Sequence, residues 1–336
     1  MTVHAMTTNV MTIPSVEMDE FSADLVVRDR STPSEGVVLL DLAHPEKDVL
    51  PRWEPGAHID LLLADGLTRQ YSLCGDPADL EMWRVGILLD PNTRGGSRLV
   101  HEQLHRGATV RVRGPRNNFS LVESSRYRFI AGGIGITPIV AMIEAAEQAG
   151  HDWTLLYGGR TRASMAFAAD LTARYGDRVT VWPQDERGLL DLENLLKQPE
   201  DDTLLYCCGS EPLLAAVEQH SAHWPTGRLH IERFAAKTLT DAPSDDEAAE
   251  LEVVCQRSGI TVEVAPGSSI LDTLEDAGAP IIASCREGVC GTCEVRVLEG
   301  TPDHRDSVLS DAEQAAGEVM MVCVSRARTN RLVLDL

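Results

Sequence analysis

The chain has 336 residues, a formal net charge of −22 and 43% hydrophobic content, enough for two or three domains with their own cores. The negative charge opposes binding to nucleic acid or anionic membranes, and no run of 18 apolar residues is present to span a bilayer. Residues 1–20 read as a loose leader without the basic and apolar parts of a signal peptide, so the 8 cysteines are assigned to a reducing cytoplasm, not to a disulfide framework.

Residues 21–123 read as an antiparallel β-barrel. Short runs rich in β-branched and apolar residues occur at 24–29, 37–43, 59–63, 69–73, 83–89 and 109–112, separated by turns such as Glu54-Pro55-Gly56. One helix is expected at 98–105. In the run Arg69-Gln70-Tyr71-Ser72-Leu73, strand alternation puts Arg69, Tyr71 and Leu73 on one face and Ser72 on the other. A cation, a phenol and a hydroxyl this close suit a phosphorylated aromatic ligand; an ordinary exposed strand is the plain alternative. Arg94-Gly95-Gly96-Ser97 leads into the helix and reads as an anion cradle of glycines, a capping serine and a helix N-terminus.

From residue 124 to 235 strands and helices alternate, which predicts a doubly wound parallel sheet. Strands are expected at 128–131, 154–158, 179–181, 203–208 and 228–232, with helices at 139–149, 166–174, 192–197 and 213–222. The first turn, Ala131-Gly132-Gly133-Ile134-Gly135-Ile136-Thr137-Pro138, follows a strand and opens a helix, as a phosphate-binding turn must. Gly133 and Gly135 let the backbone approach a pyrophosphate, Thr137 caps the helix and Pro138 suits its first position. The usual third glycine is missing, and a simple tight turn is the alternative. Arg160 and Arg162 follow the second strand, where NAD-binding sheets often carry an acid. They suit a 2′-phosphate, a pyrophosphate or solvent, which leaves NADH and NADPH both open. Cys208 ends a strand at the ligand-binding edge of such a sheet; it either faces the ligand or is an ordinary buried thiol.

Residues 236–250 are polar and acidic without apolar periodicity and read as a linker. In the last segment, 251–336, strands are expected at 251–256 and 261–264 and a helix at 270–276. A cysteine loop follows. Cys285, Cys290 and Cys293 have the C-x4-C-x2-C spacing of a plant-type [2Fe–2S] site, with Cys323 as the distant fourth ligand. Two tetrahedral irons need four thiolates, and glycines at 288 and 291 let backbone amides approach the sulfides. Structural zinc usually shows two C-x2-C knuckles; only one is present. This segment carries 14 acidic against 7 basic residues. The histidines show no metal spacing, and H-E-x-x-H, G-x-S-x-G and P-loop motifs are absent.

Together these motifs resemble the phthalate dioxygenase reductase family, to which vanillate O-demethylase reductases also belong. The resemblance covers roughly residues 20–336. It rests on Arg69-x-Tyr71-Ser72, Gly95-Gly96-Ser97, Gly133-x-Gly135-x-x-Pro138, the cysteine loop and Glu299-Gly300-Thr301-Pro302-Asp303-His304-Arg305-Asp306. It implies a flavin barrel, a ferredoxin-reductase-like NAD domain and a C-terminal β-grasp ferredoxin domain. Arg69 would pair with the flavin phosphate at the Gly95-Gly96-Ser97 loop, Tyr71 would line the isoalloxazine or ribityl, and Leu73 would count with them among the flavin-binding residues. Ser72 would hydrogen-bond near flavin N5, Cys208 would sit by the nicotinamide C4 and Phe234 would pack over the flavin. The implied cofactors are FMN rather than FAD, a [2Fe–2S] cluster and NADH rather than NADPH. The implied activity is electron transfer to the Rieske-type oxygenase of a two-component system acting on an aromatic or similar small molecule, by a chain that is a monomer on its own. A reductase for a haem monooxygenase and a non-enzymatic electron carrier or redox sensor are the rival readings.

Overall fold

The computed structural model describes residues 20–90, 95–235 and 250–336. The leader assigned to 1–20 and the linker assigned to 236–250 lie outside these residues, apart from Glu20 and Glu250; so does Arg94.

Six antiparallel strands, β1 (Ser22–Ser34), β2 (Val37–Ala43), β3 (His58–Leu62), β4 (Thr68–Ser72), β5 (Trp83–Leu88) and β6 (Thr109–Arg116), run in the order β4-β3-β6-β1-β2-β5. A bridge between Leu73 and Val85 joins the two outer strands and closes the barrel. Leu25 and Val27, Ile59 and Leu61, Val85 and Ile87, and Val110 and Val112 recur at a spacing of two and are all buried, the pattern of strands with one face inward. They share one core with Trp53, Trp83 and Leu73. Burial of each aliphatic side chain contributes roughly 1.5–3 kcal/mol. Helix α1 (Gly96–Gln103) starts two residues earlier than expected, because Gly95 takes a left-handed conformation (φ +98) immediately before it.

The next segment is a five-stranded, all-parallel sheet in the order β11-β10-β7-β8-β9, built from β7 (Arg126–Gly132), β8 (Asp152–Gly159), β9 (Val179–Pro183), β10 (Thr203–Cys208) and β11 (Leu229–Glu232). Helices α2 (Ile136–Gln148) and α3 (Ala168–Tyr175) cover one face. A one-turn α4 (Gln184–Arg187) follows β9, and α5 (Leu192–Leu196) and α6 (Glu211–Ser221) cover the other face. Successive strand residues serve opposite cores. Phe129, Tyr206 and Cys208 pack under α2 and α3, whereas Ile130, Leu205 and Cys207 pack under α5 and α6. This is the doubly wound arrangement expected from the alternation of elements.

The last segment folds as a mixed sheet, β13-β12-β18-β14-β16, comprising β12 (Leu251–Cys255), β13 (Thr261–Val264), β14 (Glu294–Glu299), β16 (Val319–Met321) and β18 (Arg331–Leu334). A two-stranded pair, β15 (Pro302–Asp303) with β17 (Arg326–Ala327), stands beside it, and α8 (Asp311–Ala316) carries a capping box from Ser310 to Glu313. Helix α7 (Ile270–Asp276) buries Ile270, Leu271 and Leu274 in the core of this sheet, capped by Ser269. The cysteine loop runs from the end of α7 to the start of β14.

Candidate functional site

A cavity of about 380 Å³ opens where the three segments meet, a size suited to a cofactor ring. The barrel contributes Arg69, Tyr71, Ser72 and Ser97, the parallel-sheet domain Ile134, Thr137, Glu232 and Phe234, and the cysteine loop Cys285, Glu287 and Val289.

On the barrel side, antiparallel pairing of β3 with β4 sets His58 opposite Ser72. The Ser72 Oγ and the His58 Nε2 are both buried, and neither has a hydrogen-bond partner among the described residues. Leaving such groups unpaired costs about 1–3 kcal/mol each, a cost that a polar ligand in the cavity removes. Burial, reinforced by the nearby Arg116 cation and only partly offset by Asp60 and Cys285, pushes the His58 imidazole down to about 4. Burial pushes the Tyr71 hydroxyl up to about 12, against the pull of Arg69, so it stays protonated. The Arg69 stem lies on Gly96 so closely that a Cβ there would stand 2.6 Å from its Cγ. Only glycine lets the guanidinium approach the N-terminus of α1, and the Ser97 hydroxyl there accepts from the Asp90 N–H at 3.3 Å. A cation at a helix N-terminus, continuous with a slot holding orphaned polar atoms and a phenol, fits a flavin with a phosphate at one end.

Leu73 does not belong to this set. It is wholly buried in the barrel core, its N–H donates to the Ala57 carbonyl at 2.8 Å, and it forms the bridge that closes the barrel. The face assignment on β4 also needs correction, since Arg69, Tyr71 and Ser72 all line the cavity.

In the parallel-sheet domain the two turn glycines have different tasks. Gly133 has φ +55 and open space where a Cβ would be, which leaves its backbone accessible to a ligand. Gly135 lies under the Cys208 carbonyl, and a Cβ would overlap the backbone of Cys208 and Gly209; it packs the turn onto β10 instead of opening it. Thr137 does not cap α2, whose cap position is Gly135. Its hydroxyl donates to the Ile134 carbonyl at 3.0 Å, and it lines the cavity. Pro138 is buried in the third helical position rather than the first. Arg160 is exposed and does not line the cavity, and Arg162 forms a two-bond pair with Glu186 at 3.2 and 3.0 Å.

Cys208 is wholly buried and does not line the cavity; its Sγ lies 3.7 Å from Glu232 Oε2, which does. Burial pushes the Glu232 carboxyl from its ordinary 4.5 up to about 8, against a smaller pull from Cys208, and burial raises the Cys208 thiol as well. Sequence reasoning missed Glu232. Its signal was an acid at the C-terminal end of a parallel strand, where such sheets bind ligands. Phe234, 42% exposed, lines the cavity two residues further on.

The four cysteines of the C-terminal motif are buried together. The Cys285 thiol contacts those of Cys290 and Cys323, and the Cys293 thiol contacts that of Cys323. Among the described residues no trio of histidine, cysteine or acidic side chains is set to chelate a single ion; two irons with two thiolates each need no such trio. The Glu287 N–H donates to the Cys285 Sγ at 3.3 Å. Gly288 (φ +67) abuts Asp306 and Val324 too closely for any side chain, so the segment containing Asp306 supports the loop from behind. Cys74, Cys207 and Cys255, outside the motif, are buried free thiols.

Polar contacts seat this loop on the barrel. Gln70 Nε2 donates to Ser284 Oγ at 2.5 Å, Asn118 Nδ2 to the Cys290 carbonyl at 2.9 Å and Arg113 to the Ala283 carbonyl at 3.4 Å. Gln70, Arg113 and Arg116 converge on the carboxylate of the buried Asp60. Burial pushes this carboxyl up, but Arg116, Gln70 and Arg113 outweigh it and hold it below its ordinary range. Glu20 completes the cluster by pairing with Arg113 and Arg116.

Comparison with known proteins agrees with this architecture. Residues 129–219 match the oxidoreductase NAD-binding domain family, and residues 253–328 match the 2Fe-2S iron-sulfur cluster binding domain family. Phenoxybenzoate dioxygenase subunit beta of Ectopseudomonas oleovorans is 43% identical over 90% of this chain and 94% of its own length. The structure of phthalate dioxygenase reductase, described as modular for electron transfer from pyridine nucleotides to [2Fe-2S], superposes with a TM-score of 0.68 at 33% identity, covering 94% of this chain and 98% of that one. An intact type IV self-sufficient cytochrome P450 monooxygenase superposes with a TM-score of 0.88 at 43% identity over 94% of this chain. The chain spans about two fifths (41%) of that protein's length.

Proposed function

This chain belongs to the phthalate dioxygenase reductase family, and from that premise we propose that it carries electrons from NADH through FMN and a [2Fe–2S] cluster to the Rieske-type oxygenase of a two-component system. It is an electron-transfer oxidoreductase with an NAD-binding domain and a ferredoxin-type domain. The observation that carries the reading is a single cavity lined by Ser72, Phe234 and the cluster cysteine Cys285. Held between these residues, a flavin would supply the conversion from two-electron hydride chemistry to the single-electron transfers that a [2Fe–2S] cluster requires.

The chain's own residues divide the work. Arg69 and the N-terminus of α1 hold the phosphate end, and the short Gly95-Gly96-Ser97 segment suits a monophosphate. Tyr71 and Phe234 line the ring, and Ser72 offers its unpaired hydroxyl. The open backbone at Gly133 receives the dinucleotide. Glu232 keeps its proton at neutral pH, so no carboxylate charge opposes hydride passage, and Cys208 orients it. Glu186 occupies Arg162, which supports NADH over NADPH. Among the described residues no helix is long and apolar enough to cross a membrane. The phenoxybenzoate dioxygenase relative supports an oxygenase of aromatic compounds as electron acceptor.

A second reading, a haem monooxygenase as acceptor, is favoured by the likeness to the self-sufficient cytochrome P450. Anaerobic titration with NADH, followed by addition of a purified Rieske oxygenase or a cytochrome P450, separates the two. Flavin and iron–sulfur absorbance bleaching together, then recovering on addition of the Rieske protein, is the expected result. Cluster absorbance that persists after flavin reduction overturns the electron path.

A further inference from the structure

His58 opens β3, where it lies across from Ser72 on β4 and from Arg116 on β6. It is 5% exposed, and it lines the same cavity as Ser72 and Cys285. Its buried Nε2 has no hydrogen-bond partner among the described residues. A histidine that served only the core would be expected to satisfy a buried ring nitrogen. The polar side chains nearby are committed elsewhere. Gln70 bonds Asp60 and Ser284, and Arg116 bonds Asp60 and Glu20. Ser72, the cross-strand neighbour of His58, is orphaned in the same way. Two unpaired polar groups on adjacent strands, at one cavity, mark a paired contact to one ligand.

We propose that His58 is a positioning residue for the bound flavin: its imidazole hydrogen-bonds the cofactor beside Ser72, on the side of the cavity that Cys285 lines. The inference rests on the flavin reading of the cavity. Its consequence is orientation. One hydrogen bond from Ser72 leaves a planar ring free to pivot about the contact. A second from the neighbouring strand, with Cβ atoms about 4.5–5.5 Å apart, fixes the ring in its plane and so fixes the edge presented to the cysteine loop.

The test is titration of flavin-stripped protein with FMN, followed by the quenching of flavin fluorescence and paired with measurement of the flavin reduction potential. His58→Phe keeps the bulk and loses the hydrogen bond; FMN affinity is expected to fall about tenfold and the potential to shift. His58→Gln restores a donor and an acceptor at similar reach, and both readouts are expected to return most of the way. Should His58→Phe lose the visible absorbance of the cluster, and with it the fold, His58→Ala removes the ring without added bulk and gives the same comparison. Wild-type affinity and potential in the variant lacking the hydrogen bond overturn the proposal. So does a Gln variant as impaired as the Phe variant, because packing alone then explains the loss. Wild-type protein that binds neither FMN nor FAD overturns the flavin reading itself, an outcome distinct from wild-type binding that the His58 variants leave unchanged.

Discussion

Gln70 Nε2 lies 2.5 Å from Ser284 Oγ, so the strand that carries Arg69, Tyr71 and Ser72 is bonded to the residue immediately before the first cluster cysteine. Gln70 is itself held by Asp60 at 2.7 Å. The contact therefore connects the ferredoxin domain to a buried charge cluster in the barrel, and its loss should loosen the seat of the cysteine loop. Gln70→Leu removes the bond to Asp60 and the one bond to Ser284; the latter, worth about 1 kcal/mol, corresponds to roughly a fivefold change in the docked population. Stopped-flow absorbance should show unchanged reduction of flavin by NADH and several-fold slower reduction of the cluster. Ser284→Ala should give the same split. Equal slowing of both steps would assign Gln70 to the flavin site instead.

Glu232 provides a pH test. Its folded-state pKa is raised from 4.5 to about 8, so the folded protein binds the proton more tightly than the unfolded chain. The sign follows from linkage. Stability is full below about 4.5 and is lost progressively as pH rises through the window to about 8. Glu232→Gln removes that dependence. Thermal melts of the two proteins should differ little in slope against pH below 4.5, diverge between 5 and 8 in favour of the Gln variant, and run parallel above 8. Parallel curves across the whole range would mean that the carboxyl is already ionised at neutral pH.

Gly133 and Gly135 should respond differently to the same substitution. Gly133→Ala places a side chain at φ +55, a strain of about 1 kcal/mol, in open space where the dinucleotide is expected. The variant should fold and bind NADH more weakly. Gly135→Ala drives a Cβ into the Cys208 carbonyl; overpacking of this kind costs about 1–3 kcal/mol. Its midpoint of unfolding should drop by several degrees, with poor expression. Calorimetry beside NADH titration distinguishes the two, and similar melting of both variants would contradict the division of roles.

The same contrast shows what the sequence could carry. The spacing of Cys285, Cys290 and Cys293 is legible because three of the four ligands of one small cluster fall within nine residues. The parallel sheet is legible because helices and strands alternate over long runs with clear apolar periods. Leu73 was misread because period two runs on past the end of β4, and only tertiary structure shows that this residue closes the barrel against Val85. Glu232 left little trace because its raised pKa comes from burial, beside a cysteine 24 positions earlier in the chain. The Asp60 cluster joins strands β3, β4 and β6, and no local pattern announces it. Strands β15 and β17 are two residues long, too short for any periodicity to register.

Nucleotide preference should depend on Glu186. Arg160 and Arg162 both follow β8, the strand after which a 2′-phosphate or a free ribose is recognised, yet among the described residues only Arg162 has an ion-pair partner, in a two-bond pair with Glu186. Both partners are exposed, so the pair adds little to stability, and Glu186→Gln should leave the melting curve nearly unchanged. What it changes is charge. Arg162 is released from its two-bond pair, with Asp185 as a weaker remaining influence, and a 2′-phosphate gains a partner that a 2′-hydroxyl cannot use as well. The ratio of kcat/KM for NADPH over NADH, read by flavin bleaching, should rise several-fold, mainly through a lower KM for NADPH, and should fall more steeply with added salt than in the wild type. Arg162→Ala in the Glu186→Gln background should reverse the gain. A ratio that stays fixed through both substitutions would place the 2′ position of the nucleotide away from this strand end.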